Sequence, residues 1–272
     1  VNPNRPLWLL LALASPASSA LADGDYTSPT ETRVALSLGI REARTSTAVR
    51  IDAANGTAGA FIDGERDLGL ESTRYTPEFH VAVRAGERSR LFFDYLQLDR
   101  SDTKIFQLGP ANFGKVVLLA DDPVQTNFNL RILGLTYGYS VLHGEKFEVA
   151  PVLGLNDISV LASVRVQTAT RHLFDSESVA GPIPTPGLAA TWAPSTRFYV
   201  DGYAKYLRIG IDHFVGSLEL YEFDALYRLQ PNIAVGLGFA GIKTNIVSNQ
   251  HTNSGQFTFD SKGPSVFFRV EF

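Results

Sequence analysis

The 272-residue sequence contains no cysteine and no methionine. Without cysteine there is no disulfide framework, thiolate metal site, thiol nucleophile or lipid-modified anchor residue. Charge is also sparse. Asp, Glu, Lys and Arg make up 19% of the chain, below the ~25% of an average soluble domain. The 24 Lys+Arg against 28 Asp+Glu leave a net charge of −4, and that balance excludes a nucleic-acid partner. Long apolar runs are missing, so no transmembrane helix is expected. Helical periodicity is missing as well once the first 22 residues are passed. No metal-ligand spacing, phosphate-cradling loop or dinucleotide fingerprint occurs, so no cofactor and no metal is expected.

The N-terminus has an order of its own. Arg5 precedes the apolar run Leu7–Ala14, and small polar residues then lead to Ala20-Leu21-Ala22 before Asp23. That is the pattern of a secretory signal peptide. The apolar run is too short to cross ~30 Å of hydrocarbon at ~1.5 Å per helical residue. The expected division is a signal peptide over 1–22 and an exported β-domain over 23–272.

The rest of the chain alternates with period 2. Val34, Leu36, Leu38 and Ile40 are separated by Ala35, Ser37 and Gly39. Leu133, Leu135, Tyr137 and Tyr139 are separated by Gly134, Thr136 and Gly138. Such alternation is the mark of strands with one apolar face. Ten segments carry it, near 33–44, 74–85, 89–101, 125–142, 146–164, 179–193, 196–211, 216–229, 232–246 and 256–272. An extra hairpin near 45–63 would widen the count to eight to twelve. In two segments the phase slips, from Leu91, Phe93 and Tyr95 to Leu96 and Leu98, and from Phe128, Leu130 and Ile132 to Leu133 and Leu135. The slips are expected to be β-bulges.

Connections are of two kinds in alternation. Short polar turns fall at 85–88, 143–146, 193–196 and 230–232. Longer segments fall at 45–73, 101–124, 167–178, 212–216 and 247–256. Tight turns at one end and long loops at the other suit a membrane barrel, the one strand-built structure that satisfies its whole backbone in lipid. Aromatics near strand ends (Tyr75, Trp192, Phe198, Tyr227, Phe272) fit an interfacial girdle. Charges also fall within strands: Glu78, Arg84, Asp94, Arg131, Asp201, Lys205, Arg208, Glu222, Asp224, Arg228 and Arg269. A lipid-facing Arg or Lys at the midplane costs ~2–4 kcal/mol, so all are expected to line the lumen. Both signs are present, and a narrow, salt-bridged interior follows for about ten strands. Gly236 and Gly238 are expected on the inward face.

The chain ends Gly263-Pro264-Ser265-Val266-Phe267-Phe268-Arg269-Val270-Glu271-Phe272. Val266, Phe268, Val270 and the terminal Phe272 share one face. This strand resembles the C-terminal strand of Gram-negative outer-membrane β-barrel proteins, a porin-like group, although Val270 stands where an aromatic is common. The resemblance implies an all-β, transmembrane, antiparallel up-and-down barrel of about ten strands in the outer membrane. It also implies lipid and lipopolysaccharide as surroundings, and the barrel-assembly machinery as a partner recognising Val266, Phe268, Val270 and Phe272.

Catalytic sets are weak. His80 is the one histidine within a strand, between Glu78 and Ala82. Outer-membrane lipid hydrolases carry a Ser two residues from a His on one face, and no His-x-Ser occurs here. Outer-membrane proteases of the omptin type use paired carboxylates with an Asp-x-His. Here Asp212 and His213 are adjacent, as are Asp121 and Asp122, with Asp99 and Asp102 elsewhere. Adjacent strand residues point to opposite faces. The expected function is therefore a non-enzymatic, porin-like or structural barrel. The alternatives are a surface adhesin using apolar loop stretches such as Phe113–Ala120, and an outer-membrane hydrolase using His80 or His213.

Overall fold

The computed structural model describes residues 26–51, 61–113, 116–211, 214–249 and 254–272. The expected signal peptide, Asp212, His213 and His251 lie outside the described residues. Ten long antiparallel strands dominate: β1 (Val34–Ile51), β2 (Thr73–Ala85), β3 (Ser89–Ile105), β4 (Pro123–Tyr139), β5 (Phe147–Gln167), β6 (His172–Trp192), β7 (Phe198–Ile211), β8 (Phe214–Gln230), β9 (Ile233–Asn249) and β10 (Ser254–Glu271). Each pairs with its neighbour in sequence, and β10 pairs with β1 from Ala35↔Glu271 to Ile51↔Gly255. The ring is thus closed, and the chain is a transmembrane antiparallel up-and-down barrel. A short strand, Phe61–Asp63, adds to β1. A small hairpin pairs Ala111–Phe113 with Val116–Leu118.

Several strands run further at the loop end than the alternation suggested: β1 reaches Ile51, β3 reaches Ile105 and β6 begins at His172. β4 has 17 residues and β5 and β6 have 21 each, whereas ~9–11 suffice to cross hydrocarbon. The excess lies at the loop end, and it explains the phase slips. In β4, Leu133, Leu135, Tyr137 and Tyr139 are exposed on the outside, with Gly134, Thr136 and Gly138 inside. Toward the loop end Val124, Phe128, Leu130 and Ile132 are buried inside, while Gln125, Asn127 and Arg131 face out.

No bulge intervenes. The register with β3 is unbroken from Ser89↔Tyr139 to Ile105↔Pro123, and that with β5 from Val124↔Val166 to Gly138↔Val152. The strand keeps its pleat while the solvent changes. Against lipid the apolar row faces out. Beyond lipid the wall stands in water, and the apolar row must face in. β3 inverts between Tyr95 and Leu96, and β9 between Phe239 and Ile242. The expected bulges are therefore corrected to inversions of the apolar face. A register shift does occur at the β8–β9 turn, between Arg228 and Gln230.

The interior is filled in layers. At the turn end the N-terminal segment forms a plug, with a short 3-10 turn at Pro29–Glu31. Buried Thr30 donates from Oγ1 to the Gly144 carbonyl at 2.9 Å. At the loop end an apolar layer joins opposite walls: Leu98, Phe128, Leu130 and Ile132 meet Leu218, Leu220, Ile242 and Phe259. Phe128 stacks on Phe259 at 5.7 Å. Above it a second cluster gathers Ile62, Leu68, Phe106, Val116, Leu118, Val124, Val164 and Val166.

Candidate functional site

Nine of the eleven strand charges expected in the lumen point into it, and two do not. Arg131 and Arg208 are exposed on the outside. Arg131 lies above the inversion in β4, where outward positions are wet and a charge costs little. Arg208 shares its face with Tyr206, outward on β7, and is opposite in parity to buried Lys205. Both are corrected to outer-surface residues. The lumen also holds charges that the strand reading missed: Arg41, Arg90, Glu148 and Glu271. Strand parity could have found Arg41, which shares a face with Ser37 and Gly39. Glu148 and Glu271 sit so near strand ends that alternation gives them little context.

Three ion-paired groups stack along the axis. Near the turns, Arg84 and Arg90 share Glu148 Oε2 at 2.7 and 2.9 Å. Arg228 meets Glu271 at 2.5 Å and donates to the plug, to the Thr27 carbonyl at 2.6 Å and Thr32 Oγ1 at 3.1 Å. One level up, Arg269 pairs with Asp201 at 2.5 Å and Asp224 at 3.5 Å, and its Nε donates to Ser37 Oγ at 2.8 Å.

The third group surrounds His80. Its Nδ1 is 2.9 Å from Asp94 Oδ1, and its Nε2 is 3.9 Å from Glu222. Lys205 lies 3.8 Å from Asp94 and donates to Thr136 Oγ1 at 3.0 Å. Arg41 pairs with Glu78 and lies 3.8 Å from Glu222. Tyr203 donates to Glu222 at 3.4 Å. Two small cavities, about 80 and 50 Å³, adjoin this group, and both are lined by His80 and Asp94.

Glycines make room for these groups. A Cβ at Gly236 would collide with the Phe267 ring, and one at Gly238 with Asp224. Both face inward as small residues under large neighbours.

A hydrolytic set is not assembled around His80. Ser37 is its register partner across β1 and β2, but the Ser37 hydroxyl accepts from Arg269. His80 is engaged by carboxylates on both sides. Among the described residues no group of three or more His, Asp or Glu side chains is placed to hold a metal ion.

The loop end is closed by a cap, residues 61–72. Leu68 and Leu70 insert into the two apolar clusters. Arg100, with a fully buried side chain, binds Glu65 of the cap at 2.5 Å and Thr47 Oγ1 at 2.5 Å, and its guanidinium lies 4.8 Å from the Phe128 ring centre. The Thr47 amide donates to Glu65 at 2.9 Å. Gly69 takes φ +77°, a turn that a side chain would strain. Burial works to raise the Asp67 pKa. Hydrogen bonds from the Arg66 side chain and the Asp63 amide, with the Arg66 charge, outweigh it and hold the carboxyl below its ordinary range. The stability this carboxylate adds to the cap is present above its unfolded pKa and is lost as pH falls through the folded one.

Val266, Phe268, Val270 and Phe272, the residues expected to form an assembly signal, share the outward row of β10 and its end, with Phe268 63% exposed. Phe272 closes the ring end, donating to the Val34 carbonyl at 2.9 Å.

No family model matches the chain, and no curated protein matches it. Among solved structures it is similar to the outer membrane protease OmpT from Escherichia coli, with a TM-score of 0.58 at 9% identity over 90% of this chain and 98% of that one. A FadL homologue of Pseudomonas aeruginosa overlaps with a TM-score of 0.35 at 8% identity, covering 88% of this chain and 90% of that one. The attachment invasion locus protein Ail of Yersinia pestis does so at 0.33 and 10%, covering 87% and 99%. The likeness to OmpT is one of fold: the chain has the architecture of an outer-membrane β-barrel.

Proposed function

We propose that this chain is an integral protein of the Gram-negative outer membrane whose closed lumen makes it a structural scaffold displaying its loop end, not a channel and not an enzyme. In this reading residues 1–22 direct export, and the outward row ending in Phe272 engages the assembly machinery. Lipid and lipopolysaccharide surround the apolar belt.

The filled interior carries the reading. A plug at one end, three ion-paired groups, an apolar layer and a cap at the other follow one another along the axis. Each layer joins strands from different sides of the ring, so a conducting path would require breaking several at once. The loop stretch that suggested an adhesive surface is partly spent on this closure. Val116 and Leu118 are buried in the upper cluster, with Val117 and Leu119 left outside. His80 is occupied within the same interior network.

Planar-bilayer recording of the refolded full chain tests this. The expected trace is free of stepwise channel events across the voltage range tolerated by the bilayer. Regular unitary conductance steps would contradict it.

A further inference from the structure

The ladder of the barrel wall stops short in two places: between β2 and β3 it ends at Glu78↔Leu96, beside the cap, and between β6 and β7 it leaves a seam. β6 pairs with β5 along its whole length, from His172↔Gln167 to Trp192↔Phe147. β7 pairs with β8 along its whole length, from Phe198↔Tyr227 to Ile211↔Phe214. Between β6 and β7, however, the ladder runs only from Gly187↔Lys205 to Trp192↔Val200. No pairing joins residues 182–186 to 206–210, all of which are described.

The sequence supplies the cause. The Ala193 amide donates to the Lys146 carbonyl at 2.8 Å, in register with the β5 ladder. Residues of odd number in β6 therefore turn their backbone groups to β5, and even ones turn theirs to β7. The Arg228 amide donates to Arg197, which likewise turns the even residues of β7 toward β6. Continued in register, the ladder would set Pro186 opposite Tyr206, Pro184 opposite Arg208 and Pro182 opposite Gly210. Each of the three β6 positions is a proline, which has no N–H to give. Three consecutive donors are missing from one edge, and among the described residues no other strand pairs with that edge of β7.

The seam lies at the loop-side margin of the apolar belt. Its β6 lip is the outward row Pro182, Pro184 and Pro186, continuing into Leu188, 59% exposed. On β7 the outward row passes from Tyr206 to the cation Arg208. Behind the lips lie apolar side chains. Ile183 packs on the loop-end apolar layer, and Ile209, on the inward row of β7, is nonetheless 43% exposed.

We infer that this seam is a lateral binding groove for one acyl chain of an anionic lipid, with its headgroup at Arg208. Lipid is the occupant because the lips belong to the lipid-facing rows, and a chain entering there meets Ile183, Leu207 and Ile209 in place of water. The inference rests on the membrane placement proposed above, and the test separates the two.

The full chain is refolded into vesicles of phosphatidylcholine and phosphatidylglycerol, with a trace of phosphatidylglycerol bearing a diazirine in its acyl chain. After irradiation, labelled residues are mapped by mass spectrometry. Labels are expected on outward Leu135 and Leu188, and also on inward Ile183, Leu207 or Ile209, but not on inward Thr136 of the fully paired β4. The P182T/P184T/P186T variant restores the missing donors. Its amides at 206–210 are expected to gain protection from hydrogen exchange, and the inward labels to be lost. A second variant, Pro186→Cys with Tyr206→Cys in this cysteine-free chain, closes the seam with a disulfide while keeping Arg208, and reduction is expected to restore the inward labels. Labelling of Leu135 and Leu188 without inward labels in the native chain would overturn the groove and leave the membrane placement standing. Inward labels persisting in a closed variant would also overturn the groove. No labels on Leu135 and Leu188 would overturn the membrane placement itself.

Discussion

Arg269 and Arg131 are both strand arginines, yet their surroundings give them different weights. Arg269 sits between Asp201 and Asp224 inside the ring. Removing it leaves two buried carboxylates without their cation, and losing one partner of a buried pair costs about 3–5 kcal/mol. Arg269→Ala is expected to lower unfolding free energy by that order in urea titration of the refolded barrel. Arg131→Ala, on the wet outer face, is expected to stay within about 0.5 kcal/mol of the parent. If the two variants shift alike, the assignment of faces fails. Net charge and strand parity made most of the lumen legible in the sequence. Arg131 and Arg208 were misread because the midplane cost was applied to the whole strand, while it holds only within the lipid-facing part.

At the scale of the element, β4 shows why the alternation was read correctly and its interruption was not. A one-residue slip in the apolar row has two physical causes: an inserted residue, or a change in what surrounds the strand. Both produce the same letters at Ile132-Leu133. Length decides between them, because a 17-residue strand outruns the hydrocarbon. The ten segments and their order were otherwise legible, with loop-side ends drawn several residues short, since the polar outward rows there look like loop. Two substitutions on the same outward row of β4 separate the alternatives. Leu135→Arg is expected to cost about 2–4 kcal/mol, and Asn127→Arg about 0–1 kcal/mol, by equilibrium unfolding in vesicles. Equal costs would mean that the row does not leave the bilayer. Pro182, Pro184 and Pro186 are a signal that the alternation alone passes over: three prolines on one face of a strand inside a closed ring remove donors toward one neighbour only.

On the scale of the whole molecule, closure at the loop end depends on Arg100, which ties the cap to β1 through Glu65 and Thr47. Arg100→Ala is expected to leave the ring folded, shown by retained heat-modifiable migration on a gel, while the cap becomes open to limited proteolysis within 61–72. Unchanged protection of the cap would show that the apolar insertion of Leu68 and Leu70 holds it alone. The cap was not legible in the sequence, where 45–73 reads as a long polar segment with an extra hairpin near 45–63 as the alternative, and only the pairing of Ala48–Arg50 with Phe61–Asp63 answers to that hairpin. Its two leucines acquire meaning only when the ring supplies clusters to receive them.

The central claim is that the wall rows of β3, β4 and β9 meet lipid near the turns and water near the loops, and that in β4 the change comes without a break in register. The absence of cysteine allows single spin labels to be placed in turn at positions 125, 127, 129, 131, 133, 135, 137 and 139 of β4. Their collision rates with oxygen, which concentrates in lipid, and with a water-soluble nickel complex are then compared in vesicles. The account requires oxygen to dominate from 133 to 139 and nickel from 125 to 131, with one crossover between 131 and 133. A row in which nickel dominates throughout, or whose accessibility alternates instead of crossing once, would contradict it.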